Sequence, residues 1–210
     1  MLFRSNVTVP HKEMAYQGAA ERDAAADAVG AVNVLWVENG KLMGGNSDIY
    51  GFINNLDVTA PGWQVPNARA VVLGAGGGAR SVVYAFTQRG VAVQLVNRTR
   101  ARAEELAQKF GSLVTVHTQH ELPALLAQAD VLVNCTSCGM VGKPPLETDL
   151  TPLKKTAVVY DIVYVPLETP LLAAARQRGN RVVDGLGMLI HQAGYGFEKW
   201  FGAKIGRAHV

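Results

Sequence analysis

A doubly wound parallel α/β sheet, joined to a smaller and partial α/β unit, is the fold class this sequence predicts, on three observations. From Ala70 onward short apolar runs alternate with helical patterns, strand then helix, the signature of successive βαβ units. Two of these helical stretches stop at a glycine, Gly90 and Gly111, the residue that best takes the left-handed turn past a helix end. The first apolar run breaks at Gly74-Ala75-Gly76-Gly77-Gly78-Ala79, and a helix begins at once. That is how the carboxyl edge of a parallel sheet holds a phosphate.

The elements follow in order. Asn6 to Pro10 alternates apolar and polar residues and predicts a short strand that Pro10 ends. Ala19 to Ala28 is alanine-rich with Gly30 just beyond, which predicts a helix. Val32 to Glu38 and Lys41 to Met43 flank Asn39-Gly40, a hairpin with a type I′ turn. Ser47 or Asp48 can cap a helix over Ile49 to Asp57. The repeating part then runs strand Ala70–Leu73, helix Gly77–Gln88, strand Val91–Val96, helix Ala101–Phe110, strand Leu113–Val116 and helix Glu121–Gln128. It continues with strand Asp130–Asn134, strand Ala157–Ile162, helix Thr169–Arg178, strand Arg181–Val183 and helix Met188–Phe201.

The glycine turn has the form G-x-G-x-x-A, and each small residue has a physical role. Gly74 permits the tight turn, Gly76 lets the backbone approach a pyrophosphate, and Ala79 lets the helix sit close to the strand. Ala75, Gly77 and Gly78 complete the cradle, making this a Rossmann-type dinucleotide site. Sites for NAD carry an acid about 20 residues further on, at the end of the second strand. Here that place reads Asn97-Arg98-Thr99-Arg100-Ala101-Arg102, with no carboxylate. An arginine fork suits a 2′-phosphate and an acid would repel it, so the predicted cofactor is NADP.

Composition narrows the rest. The chain has 210 residues, 49% hydrophobic and 18% charged, enough to build a real core. A net charge of +3 is too mild and scattered for a nucleic-acid partner. No run is long and apolar enough for a membrane span, and no signal-peptide core follows Met1, so a cytoplasmic setting is expected. Cys135 and Cys138 have redox-motif spacing but no helix follows in thioredoxin style; they read as a loop with two thiols. His11, His117, His120 and His191 lack metal-ligand spacing, and no metal is expected.

Five stretches, Asn6-Val7-Thr8-Val9-Pro10-His11-Lys12, Gly30-Ala31-Val32-Asn33, Gly44-Gly45-Asn46-Ser47-Asp48, Asn97-Arg98-Thr99 and Asp184-Gly185-Leu186-Gly187-Met188, occur in that order. Together they resemble the landmarks of the shikimate dehydrogenase family, from Asn6 to about Gly202. The resemblance implies an N-terminal substrate domain, an NADP-binding domain, and a C-terminal helix returning to the first. It implies reversible NADP-dependent reduction of 3-dehydroshikimate to shikimate, on the route to chorismate and the aromatic amino acids. It makes Lys12 the catalytic lysine, as acid/base or charge stabiliser, and Asp48 its partner. Asn33 and Asp48 would bind substrate hydroxyls, Gln192 would also reach the substrate, and Tyr164 would line the pocket near the cofactor. Gly185 would lie near the nicotinamide and Thr136 at the edge of the cofactor site, with Asn97, Arg98, Thr99 and Arg102 also binding the cofactor.

The sequence also departs from that pattern. Members carry a Ser-x-Ser motif for the substrate carboxylate, ahead of the Asn-Val-Thr strand; only five residues precede Asn6 here, and Ser5 alone does not replace it. The expected division is 1–47, a partial substrate-binding domain lacking its first strands; 48–186, the NADP-binding domain; 187–204, the returning helix; and 205–210, a tail without periodicity. An unpaired sheet edge should weaken the substrate part or pair it with another chain, a homodimer being the expected form. Two alternatives stay open: a quinate/shikimate variant, and a non-catalytic NADP-binding module.

Overall fold

The computed structural model describes residues 3–8 and 10–203; Val9 and the tail from 204 onward, with its expected frayed end, lie outside the described residues. A four-stranded sheet is built first, from β1 (Arg4–Asn6), β2 (Glu21–Arg22), β3 (Val34–Glu38) and β4 (Lys41–Gly45), in the order β1-β3-β4-β2. The β3–β4 hairpin turns at Asn39 and Gly40, both at positive φ, as a type I′ turn requires.

Three readings of this part need correction. The first strand is Arg4–Asn6, two residues earlier than the alternation suggested, because Arg4 to Asn6 pair with Val34 to Trp36. Lys12–Gly18 forms a helix, α1, that no apolar stripe announces: none of its residues is buried. The alanine-rich helix does not start at Ala19. Glu21–Arg22 pairs with β4, and α2 (Ala24–Val29) starts only after Asp23, whose side chain accepts from the Ala26 amide at 2.7 Å.

The chain crosses on α3 (Asp48–Thr59) into a six-stranded, all-parallel sheet. It contains β5 (Arg69–Leu73), β6 (Ala92–Val96), β7 (Val114–His117), β8 (Val131–Asn134), β9 (Val158–Asp161) and β10 (Arg181–Val183), in the order β10-β9-β8-β5-β6-β7. Winding runs outward from β5 through β7, then returns to β8 and continues to β10. The reversal between β5 and β8 is the switch point of a Rossmann-type sheet, where a crevice opens at the carboxyl ends. Helix α4 occupies Gly77–Gln88, as expected, α5 (Arg100–Phe110) starts one residue earlier, and α7 (Pro170–Gln177) is one residue shorter at each end. The expected helix over Glu121–Gln128 is a 3₁₀ turn, Gln119–Glu121, followed by α6 (Leu122–Leu126). Helix α8 runs Gly185–Phe201, three residues longer at its start than Met188, because the Asp184 carboxylate caps it through the Leu186 and Gly187 amides.

Both faces of the parallel sheet are covered. Ala70 and Val72 pack with Phe52 of α3, Val82 and Phe86 of α4, Leu106 of α5 and Met188 of α8. The alternate residues Val71 and Leu73 pack with Leu122 and Leu126 of α6 and Leu171 and Leu172 of α7. Phe52 stacks on Tyr160 at 4.8 Å and meets Phe86 edge-on at 5.2 Å, locking α3 to the sheet. Helices α3 and α8 touch at glycines: a Cβ on Gly51 would come within 2.7 Å of the Met188 carbonyl, and one on Gly187 would collide with the Asn55 amide. Asn55 in turn donates to the Tyr160 hydroxyl and the Asp184 carbonyl at 2.9 and 2.8 Å. Gly187→Ala should therefore cost about 1–3 kcal/mol of stability, an overpacking penalty read as a lowered Tm; an unchanged Tm would show that the seam yields.

The 3₁₀ turn carries a pH signature. The Glu121 carboxylate accepts from the Thr118 amide and hydroxyl, each at 2.8 Å, and lies 2.8 Å from His117 Nδ1. The His117 contact first, and then the Thr118 donors, hold Glu121 down at about 2, against an ordinary 4.5. A depressed acid stabilises fully above its unfolded value and loses that contribution as pH falls through its folded value. Glu121→Gln should flatten the acid limb of Tm against pH between 4.5 and about 2; an unaltered limb would remove Glu121 from it.

Candidate active site

The chain places Lys12 as the first residue of α1 and Asp48 as the first residue of α3. Lys12 Nζ meets Asp48 Oδ2 at 2.5 Å, with side chains 13% and 2% exposed. Asp48 is held from three directions. Its amide donates to Asn46 Oδ1 at 3.0 Å, its Oδ1 accepts from Asn33 Nδ2 at 3.0 Å, and it sits at a helix N-terminus, which favours its negative charge. Asn33 Nδ2 is also within 3.2 Å of Gln192 Oε1, on α8, and 3.1 Å of Ser47 Oγ, while Asn33 Oδ1 accepts from the Ser47 amide at 2.8 Å. Lys12, Asn33, Asp48 and Gln192 therefore form one connected group drawn from four separate segments. A buried carboxylate so satisfied presents an oriented ammonium instead of an unpaired charge.

The glycine turn stands beside this group. The Lys12 stem passes 3.7 Å from where a Gly77 Cβ would lie. Gly74 has φ 106°, and a Cβ there would meet the Cys135 carbonyl and the Thr136 methyl at 3.1 Å. Its amide bonds to the Val96 carbonyl at 2.8 Å, which sets the turn against the end of β6. Beside Gly76 the space is open, with nothing within 4 Å of a Cβ, and no side chain caps α4. First-turn amides that no side chain caps, behind an open glycine, fit a pyrophosphate. At the end of β6, Asn97 Nδ2 donates to the Thr99 carbonyl at 2.7 Å and shapes the turn. Arg98, Arg100 and Arg102 are exposed there; Arg100 is paired with Glu104 at 2.7 Å. A solvent-facing guanidinium pair at this strand end fits a 2′-phosphate.

The other expected residues sit on the same carboxyl edge. Thr136 follows β8, and its amide and hydroxyl both donate to Asn134 Oδ1, at 3.0 and 2.7 Å. Tyr164 follows β9 and is 44% exposed, free to face a ligand. Gly185 opens α8 so close to the Ile162 carbonyl that a Cβ would collide with it. Burial pushes the Cys135 thiol well above its usual range, with nearby Asp161 adding to the shift, so Cys135 is a buried, inert thiol.

Sequence reasoning missed several members of the site. Asn46 and Ser47 lie inside a recognised motif, but their bonds to Asp48, Asn33 and Ser81 carry no signal in spacing. The Tyr195 hydroxyl donates to Asp23, which also accepts from the Asn46 amide at 3.4 Å, so α8 braces the loop that carries Asp48. Among the described residues, no cluster of three His, Cys, Asp or Glu side chains could hold a metal, and no helix is long and apolar enough to cross a membrane.

Comparison with known proteins agrees with this arrangement. The family model for shikimate / quinate 5-dehydrogenase matches residues 59–166. The shikimate dehydrogenase (NADP(+)) of Azorhizobium caulinodans is 57% identical over 198 residues, covering 94% of this chain and 70% of the relative. Among solved structures, shikimate 5-dehydrogenase from Thermus thermophilus in complex with NADP(H) and shikimate matches with a TM-score of 0.85 and 32% identity, over 97% of this chain and 74% of that one. Quinate dehydrogenase from Corynebacterium glutamicum in complex with NAD matches with a TM-score of 0.87, also at 32% identity, over 96% and 73%. With the parallel sheet, the glycine turn and the Lys12–Asp48 pair already in place, these matches settle the family: the chain belongs to the shikimate dehydrogenases.

Proposed function

We propose that the chain interconverts 3-dehydroshikimate and shikimate with NADP(H), an oxidoreductase step in chorismate and aromatic amino acid biosynthesis. The observation that carries this reading is the Lys12–Asp48 ion pair, 2.5 Å long, set beside the glycine turn. NADP(H), when bound, supplies or accepts the hydride. Gly74 to Ala79 would hold its pyrophosphate, Asn97 to Thr99 and Arg102 its adenosine end, and Thr136 and Gly185 would border its nicotinamide. Lys12 Nζ would face the reacting substrate oxygen, holding a proton there or stabilising the charge on it. Asp48 keeps that ammonium in place, and its second oxygen, with Asn33 and Gln192, would orient the ring hydroxyls. Tyr164 would close the pocket.

NADP is preferred to NAD for two reasons: Arg98 and Arg102 stand where an acid would be needed for NAD, and the Azorhizobium relative is named for NADP(+). The likeness to a quinate dehydrogenase sets the control. NADP reduction followed spectrophotometrically should depend on shikimate and be much weaker with quinate. NADPH binding without turnover on either substrate would instead favour a binding module. The functional division we infer is 1–47 for substrate, 48–186 for cofactor and 187–204 returning to the first part, with Gln192 and Tyr195 of α8 reaching Asn33 and Asp23 in its support. The same reading places the protein in the cytoplasm as a homodimer, which fractionation and light scattering test.

A further inference from the structure

One buried carboxylate joins the carboxyl ends of β8 and β9 and has no part in the reaction above. Asp161 is 0% exposed and lies opposite Asn134 in the sheet register. Its Oδ1 accepts from Asn134 Nδ2 and from the Val163 amide, each at 3.0 Å, and its Oδ2 accepts from Thr169 Oγ1 at 2.7 Å. For the ionised carboxylate the direction of each bond is determined. A backbone amide only donates. The Asn134 amide is oriented by the Thr136 amide donating to its other end. The Thr169 hydroxyl already accepts from the Leu172 amide at 3.3 Å. Three donors thus converge on a group that, when ionised, has only acceptors to offer.

What Asp161 ties together is specific. Through Asn134 it fixes the Thr136–Cys138 loop, whose Cys138 carbonyl accepts from Asn134 at 3.1 Å. Through Val163 it fixes the loop leading to Tyr164, and through Thr169 the start of α7. Both loops press on the cofactor crevice. The Thr136 methyl lies against Gly74, the end of Ile162 lies 2.8 Å from a Cβ built on Gly78, and the Val163 carbonyl lies 2.7 Å from one built on Gly185. The adenosine end of the crevice, at Asn97 to Arg102, touches none of these bonds.

We propose that Asp161 is a positioning residue for the nicotinamide end of the cofactor, setting the Thr136 loop, the Val163–Tyr164 loop and Gly185 relative to one another from behind. The proposal rests on the NADP(H) reading of the crevice. A merely structural carboxylate would weaken both ends of the site alike; this one should act on one end.

The test uses the full chain and two probes, NADPH and adenosine 2′,5′-bisphosphate, which lacks the nicotinamide half. Asp161→Asn keeps the shape but turns an NH₂ toward one of the three donors. It should weaken NADPH binding about tenfold or more, the effect of leaving a buried donor unmatched, with the bisphosphate affinity within about twofold of wild type. Turnover should fall further than binding, because reacting groups displaced by a fraction of an ångström lose near-attack geometry. Thr169→Val, which removes one donor far from the cofactor, should give the same pattern more mildly, and it decides the matter if Asp161→Asn does not fold. Unchanged NADPH affinity in the variants, or equal loss of both probes, would overturn the proposal. Failure of the wild-type chain to bind either probe would overturn the cofactor reading itself, a distinct result.

Discussion

Lys12→Ala should lower turnover about a thousandfold, within the range of a lost general acid, and leave NADPH affinity within about twofold, because the cradle is not changed. The expected loss corresponds to roughly 4 kcal/mol of barrier. Lys12 is the cation paired with Asp48, and its stem only grazes Gly77. The fold should survive the change: the Asp48 carboxylate keeps the Asn33 amide as a partner and stays at the N-terminus of α3. A melting curve on the same sample separates a dead enzyme from an unfolded one. Lys12→Arg then divides the two roles open to this lysine. Arginine keeps the charge and does not give up its proton. Turnover retained in Lys12→Arg assigns charge stabilisation; turnover lost assigns proton transfer. Turnover retained in Lys12→Ala would remove the residue from the chemistry altogether.

The second large effect belongs to the other end of the crevice. Arg98→Asp should weaken NADPH binding by about a hundredfold, from a charge-assisted contact of roughly 1.5–3 kcal/mol replaced by repulsion. NADH, with no 2′-phosphate, should lose at most a few-fold, and the new acid even offers its ribose hydroxyls an acceptor. Arg98 is exposed at the end of β6, so its replacement breaks no core. Arg100 is engaged with Glu104 and would not take its place. Fluorescence titrations with both cofactors give the ratio; equal loss would defeat the assignment to the 2′-phosphate.

The parallel sheet was legible because its strands are buried apolar runs bounded by glycine and its helices have wide apolar faces. Helix α4 came out residue for residue. The first sheet was harder for a physical reason. Strands β1 and β2 have three and two residues, too few to show a period, and α1 buries no side chain, so nothing marks it as amphipathic. Asp23 looked like one charge on an alanine-rich helix and is instead the cap that begins a later one. In the site, the glycine turn and the arginines declared their chemistry by residue type. Lys12, Asn33 and Gln192 did not; their convergence depends on how α1, the β3 approach and α8 pack, and only the resemblance pointed to them. Asp161 ends an apolar strand, where an acid ordinarily faces water; its burial depends on Thr169, eight residues on, folding back.

The bracing by α8 bears on how the protein is made. Tyr195 reaches Asp23 across 172 residues of sequence, and Trp200 Nε1 reaches the Leu35 carbonyl, 3.1 Å away, across 165. During synthesis the six-stranded layer can close as its own strands emerge, β6 and β7 beside β5 and then β8 to β10 on its other side. The four-stranded layer is translated first, yet it lacks its supporting helix until every strand of both sheets has left the ribosome. Its apolar cluster, around Ala26, Val32 and Leu35, has to wait through the whole interval. The nascent chain is therefore most vulnerable to aggregation and proteolysis in this layer, and the arrival of α8 closes that window and brings Gln192 to Asn33 in the same event.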